Sequence, residues 1–196
     1  LSKKTGFGNS KKKRIAKLIE SLIRELGDNP DREGLLETPT RVAKAYAEMF
    51  RGYDEFDFTF TNFNATYSGI VARIGVPFYS YCEHHMLPYN GVVHFGYIPN
   101  GRVVGASKLI RFILHSAARL TIQEELTESI ADTFMEQVQP RGCMVIVSAS
   151  HLCEACRGVK VPGVPFVTDT IRGIFAEEPS VKAEFLATVQ REWTKK

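Results

Sequence analysis

The sequence predicts an α+β fold in which a mostly antiparallel four-stranded sheet carries two helices on one face, preceded by an N-terminal helical segment. Three observations support this. Apolar residues recur at helical spacing over 14–26 and 122–134, the mark of helices that bury one stripe. Residues 70–79, 91–98, 143–149 and 165–172 read instead as strands, the second (GVVHFGYI, 91–98) rich in β-branched and aromatic residues. The order is helices, two strands, two helices, two strands, helix, which suits an antiparallel sheet covered on one side.

Each element has its own signal. Ile15, Leu18, Ile19, Leu22 and Ile23 form the stripe of the first helix, which Gly27-Asp28-Asn29-Pro30 ends. Thr38-Pro39, a cap residue followed by proline, opens a second helix reaching about Phe50. An aromatic linker, YDEFDFTFTNF, leads to the first strand pair. Ser107 can cap a helix running to about Ser116. Thr121-Ile122-Gln123-Glu124 fits a capping box for a longer helix to about Val138, with Ile122, Leu126, Ile130 and Phe134 on one face. Ser180 opens a last helix that ends near Trp193. The expected division is a helical segment over residues 1–57 and a sheet domain over 58–196. Such a sheet has two edges to protect, and pairing with neighbouring subunits is one solution.

Composition narrows the function classes. The chain has 196 residues, 44% hydrophobic and 24% charged, with a net charge of +3. That charge is too small, and too little interleaved with aromatics, for a nucleic-acid surface. Much of the excess sits in Lys11-Lys12-Lys13-Arg14, which reads as a solvated run. No apolar stretch approaches the ~18 residues of a membrane span, and LSKKTGFGNSKKK lacks the apolar core of a signal peptide. A cytoplasmic protein without membrane or nucleic-acid partners is expected. In that setting Cys82, Cys143, Cys153 and Cys156 suit metal or catalytic use better than disulfides.

Cys82-x-x-His85 and Cys153-x-x-Cys156 each have the spacing to chelate one ion, and thiolate with imidazole favours zinc. Spacing alone leaves two outcomes open. All four residues can close a structural site, or one later cysteine can stand aside and leave a coordination position free. His84 and His151 lie beside these ligands in sequence, where proton transfer around a metal site needs them. Arg41 and Lys44 share one helix face, Lys108 and Arg111 repeat the spacing beside Ser107, and Arg157 follows the second cysteine pair. Five cations of this kind can neutralise a polyphosphate. Gln123-Glu124 adds a carboxylate able to accept from the ring N–H and amine of guanine, though helix capping also explains it.

GDNPDREGLLETPTRVAK at 27–44, CEHH at 82–85, GYIPNGRVVGASKLIR at 96–111, QEELT at 123–127 and HLCEACRGV at 151–159 closely resemble GTP cyclohydrolase I, in the family's order from residue 15 onward. The resemblance implies the tunnelling fold for residues 58–196 and a zinc hydrolase that opens the imidazole ring of GTP to give 7,8-dihydroneopterin triphosphate and formate. It also implies a homodecamer with active sites between subunits. Carried over by position, it implies zinc ligands at Cys82, His85 and Cys153. His84 then faces the water and ribose side, His151 donates a proton to the imidazole ring of guanine, and Ser107 serves the later ribose steps. Arg41, Lys44, Lys108, Arg111 and Arg157 contact the triphosphate, while Gln123 and Glu124 read the base. Three places depart from the pattern: Cys156, the loop KVPGVPFVTDT with Asp169, and the helix ILHSAARL. A structural zinc protein, a non-catalytic nucleotide- or nucleic-acid-binding subunit, and the same reaction serving deazaguanine synthesis are the competing expectations. The first leaves His84 and His151 without a role.

Overall fold

Alternation along the strands and proline at helix starts set the element boundaries. The computed structural model describes residues 7–54 and 59–194. The chain separates into two compact units, one reaching Phe56 and the other starting at Asp57. The expected boundary after residue 57, and part of the aromatic linker, lie outside the described residues.

In the first unit, α1 (Asn9–Glu25) packs with α2 (Thr38–Met49), and a single 3₁₀ turn, Arg51–Tyr53, follows. The apolar stripe of α1 is only partly covered, with Leu18 and Leu22 exposed. Thr38 is the first helical residue of α2 and does not cap it; Glu37 occupies the cap position without a side-chain bond. Proline at the second position explains the shift, because its missing N–H costs nothing in a first turn.

The second unit runs β1 (Asn62–Asn64), β2 (Val71–Cys82), β3 (Pro88–Ile98), β4 (Arg102–Val104), α3 (Ala106–Ala117), β5 (Leu120–Thr121) and α4 (Gln123–Val138). It continues through β6 (Gly142–His151), α5 (Leu152–Ala155), β7 (Phe166–Gly173), α6 (Ile174–Glu177) and α7 (Pro179–Trp193). The main sheet has the order β5-β2-β3-β6-β7, while β1 and β4 make a separate ribbon. β2, β3, β6 and β7 pair antiparallel, and the two-residue β5 adds a parallel edge to the four strands expected. β2 bulges between Arg73 and Val76, where Gly75 takes a φ of +70° and donates its N–H to His94 Nδ1 at 3.2 Å.

Three helix starts in this second unit shift as well. Gly105 caps α3 and places Ser107 inside the first turn. Ile122 caps α4 in extended conformation; Thr121 is held in β5 opposite Cys82 and donates its hydroxyl to the Ile122 carbonyl instead. α7 begins one residue before Ser180, at Pro179.

Both sheet faces are covered. On one, Phe95 and Tyr97 of β3 meet Phe134 of α4 with ring centroids 4.8 and 5.0 Å apart, and Phe60 bridges Phe134 to Phe112 of α3. This is the face the sequence predicts. On the other, Ile98, Met144, Ile174, Phe175 and Phe185 form a second buried cluster that brings α6 and α7 onto the sheet. The expectation of cover on one face is corrected accordingly. Gly96 makes room for α7, since a Cβ there would lie 2.6 Å from the Phe185 ring. Phe185→Ala should therefore destabilise the protein by about 3–5 kcal/mol, the usual cost of emptying a buried phenylalanine site. Denaturant unfolding followed by circular dichroism measures this; a loss below about 1 kcal/mol would mean that α7 contributes little to the fold.

Candidate metal centre

Strand register brings the candidate residues together at one end of the sheet. Cys82 is the last residue of β2 and pairs with Thr121 of β5, two residues before Gln123 opens α4. Tyr89, near the start of β3, pairs with His151, the last residue of β6. β6 then runs into the single turn of α5, which carries Cys153. The β2–β3 hairpin closes through Met86 N–H to Cys82 C=O at 2.8 Å and Cys82 N–H to Leu87 C=O at 2.9 Å. Met86 adopts a φ of +55°, a left-handed conformation that costs a side-chain-bearing residue about 1 kcal/mol. This tight loop is what displays His84 and His85.

The Sγ atoms of Cys82 and Cys153 and a ring nitrogen of His85 lie within 4.8 Å of one another. Two sulfurs and an imidazole at that spacing could hold a metal ion, and soft thiolate donors narrow the choice toward zinc-like cations. Both adjacent histidines approach the Cys82 sulfur, His84 Nδ1 at 3.7 Å and His85 Nδ1 at 3.9 Å. Reach to Cys153 separates them: only His85 completes the three-atom group. The two rings stand 6.2 Å apart at an interplanar angle of 76°. Cys156 is exposed and belongs to no such group among the described residues. Burial, and then the neighbouring Cys82 sulfur, push the Cys153 thiol above its ordinary pKa. A dication between the sulfurs would oppose that and favour thiolates.

A cavity of about 260 Å³ opens beside this group, lined by His84, Glu124, His151 and Phe166 as well as the three donors. His151 stacks on Tyr89, centroids 4.4 Å apart and rings 5° from parallel, and meets the Phe166 ring edge-on at 5.6 Å. Burial holds the His151 pKa below its ordinary value, against smaller opposing effects of Glu154 and Glu124. Burial likewise pushes the Tyr89 phenol up to about 12.

Gln123 is buried, with 1% of its surface exposed. Its Nε2 donates toward Val147 O, Phe166 O and Thr168 Oγ1 at 3.0–3.1 Å, and its Oε1 meets His151 Nε2 at 2.9 Å. Its side-chain donors are thus committed inside the protein, and an open carboxylate for reading a base is offered by Glu124 alone of this pair. Arg157, expected at a triphosphate, donates from Nη1 to His85 Nε2 at 2.9 Å. Ser107, Lys108 and Arg111 sit in the first two turns of α3 and are not among the side chains lining this cavity. Arg41 and Lys44 are exposed on α2 of the first unit, Arg41 in an ion pair with Glu37. Asp169 lies on β7 opposite Ile146.

Sequence reasoning missed Tyr89, Phe166 and Thr168. A register argument could have found Tyr89, since pairing the ends of β3 and β6 puts an aromatic ring beside His151.

An α+β sheet domain whose Cys–His–Cys group could hold a metal ion, with two further histidines and a cavity beside it, has the parts of a metal-dependent enzyme. The GTP cyclohydrolase I family model matches residues 15–190, and the chain belongs to that family. It is 45% identical over 175 residues to GTP cyclohydrolase 1 of Thermobifida fusca, covering 87% of this chain and 84% of that one. It is 43% identical over 180 residues to GTP cyclohydrolase 1 of Dehalococcoides mccartyi, covering 90% and 95%. With GTP cyclohydrolase 1 of Brevibacillus brevis it shares 41% identity over 180 residues, again over 90% of this chain.

The geometry separates the two later cysteines. Cys153→Ser should lose most bound metal, whereas Cys156→Ser should retain a full complement by elemental analysis after dialysis. Equal loss in both variants would indicate a closed four-ligand site.

Proposed function

We propose that this chain is a zinc-dependent GTP cyclohydrolase I, which hydrolytically opens the imidazole ring of the guanine of GTP and yields 7,8-dihydroneopterin triphosphate and formate, the first step of pterin and folate synthesis. The observation that carries this reading is the convergence of Cys82, His85 and Cys153 on one cavity that also holds His84, His151 and Glu124. Family membership supplies the substrate.

Cys82, His85 and Cys153 hold the zinc and Cys156 stays outside. Zinc held there would supply Lewis-acid activation of water near neutral pH. The chain's own residues do the rest. Glu124 accepts from the ring N–H and exocyclic amine of guanine, a pair of adjacent donors that adenine lacks. Gln123 supports this end of the cavity from behind. His151 supplies a proton to the imidazole ring of the base and so makes its carbon 8 electrophilic. His84, beside the Cys82 sulfur, serves water attack and the ribose steps, in which Ser107 also takes part. Arg41, Lys44, Lys108, Arg111 and Arg157 bind the triphosphate, Arg157 by exchanging His85 for a phosphate oxygen.

The helical segment over residues 1–57 and the tunnelling-fold domain over 58–196 assemble as a homodecamer. In support, β7 forms an outer sheet edge with Phe166 and Val167 exposed, an edge of the kind that pairing with another copy protects. All four cysteines are free and no described helix is long and apolar enough to cross a membrane. We place the enzyme in the cytoplasm, where thiols stay reduced.

Zinc-loaded protein given GTP should release formate and form a pterin that fluoresces after oxidation. ATP should be discriminated against by roughly 10⁴-fold in kcat/KM, as expected where a site's hydrogen bonds go unmet. Absence of formate from GTP, or comparable turnover of ATP, would overturn the reading. His84→Ala and His151→Ala should each keep the zinc yet lose roughly 100- to 10,000-fold in pterin formation. Release of zinc by His84→Ala, with retention by His85→Ala, would reverse the roles of the adjacent pair.

A further inference from the structure

The hydrogen bonds around Gln123 run in one direction only. Nε2 faces two backbone carbonyls, Val147 O at 3.1 Å and Phe166 O at 3.0 Å. A flipped amide would set its own carbonyl against both, so the orientation is fixed by chemistry. The Thr127 hydroxyl lies 2.7 Å from Gln123 O and donates its one proton there. Thr168 Oγ1, 2.6 Å from Thr127 Oγ1, must then donate to Thr127 and can only accept from Gln123 Nε2. The two Nε2 protons are shared among these three acceptors, which uses up the donors of the amide. Oε1 is left facing His151 Nε2 at 2.9 Å, and a carbonyl oxygen can only accept.

We propose that Gln123 is a positioning residue for ring opening: its carbonyl holds the proton of His151 on Nε2, so that Nδ1 is the atom through which His151 exchanges a proton with the substrate. The proposal rests on the reading of His151 as proton donor. The Tyr89 ring, stacked 4.4 Å away, fixes the imidazole plane, and Gln123 fixes its rotation within that plane. This gives Gln123 a role other than the contact with guanine that the family resemblance implies. Two threonines, neither of them singled out by sequence, become part of the same device.

Two readouts test it. In zinc-loaded protein carrying isotope-labelled histidine, long-range proton–nitrogen correlation at mildly alkaline pH reports the tautomer, with His151 assigned by loss of its signals in His151→Ala. A neutral ring protonated on Nε2 is expected; one protonated on Nδ1 overturns the proposal. Gln123→Met, similar in shape but without the carbonyl, should lower kcat by about 10- to 100-fold, a fraction of what a whole acid–base group contributes. KM for GTP and zinc content should stay near wild type, and the His151 tautomers should become mixed. A raised KM with unchanged kcat would make Gln123 a base-binding residue and refute the positioning role. Should Gln123→Met fail to fold, the wild-type spectrum alone decides. Absence of formate release by the wild-type protein would instead refute the proposed function, while the tautomer could still be read without turnover.

Discussion

The register of β3 between β2 and β6 is the constraint on which the site depends. Pairing Tyr89 with His151 and Ser80 with Tyr89 aligns the ends of three strands. Because side chains alternate along a strand, a slip by one residue would exchange the faces of an entire strand. Phe95 and Tyr97 would leave the aromatic cluster under α4, and Gly96 would no longer leave room for Phe185. Two buried cores therefore oppose any shift of β3. Gly91 adds a third restraint, since a Cβ there would fall 1.9 Å from Ser148 O on β6. The donors and the acid–base residues inherit their positions from this packing.

Local backbone chemistry completes what register begins. The β2–β3 loop leaves the sheet at Cys82 and returns at Pro88, forcing Met86 into the left-handed region. Within that loop His84 and His85 diverge enough for one to approach Cys153 while the other does not. On β6 the strand turns directly into α5, so Cys153 follows His151 after one intervening residue. Adjacent residues thus reach different neighbours, His85 alone of the two joining the group with Cys82 and Cys153. The buried amide of Gln123 ties the start of α4 to β6 and β7 through bonds to Val147, Phe166 and Thr168.

Much of this was legible in the sequence where the signal is local. Chelate spacing in Cys82-x-x-His85 and strand composition over 91–98 depend only on near neighbours, and the strands fall at those places. Helix caps were less legible: Thr38, Ser107 and Thr121 are suitable residues, but proline placement and the β5 pairing move the first helical positions. Periodicity marks Val181, Phe185 and Val189 as apolar neighbours on α7 without saying which sheet face receives them. Cover on the second face therefore emerged only with the fold. The sequence places Gln123 in a helix's first turn as one of a base-reading pair, yet its amide is buried and donates to acceptors on β6 and β7. Polar residues satisfied by distant strands leave no mark at sequence range.

The proposed function puts an open, three-ligand zinc site at one end of the sheet, with its proton-transfer groups alongside. X-ray absorption at the zinc edge of the reconstituted protein tests it most directly. Two sulfurs at about 2.3 Å and one imidazole nitrogen at about 2.0–2.1 Å, with a light-atom fourth ligand, are predicted. Three sulfurs in the coordination shell would bring Cys156 onto the metal, close the site and rule out the open three-ligand arrangement.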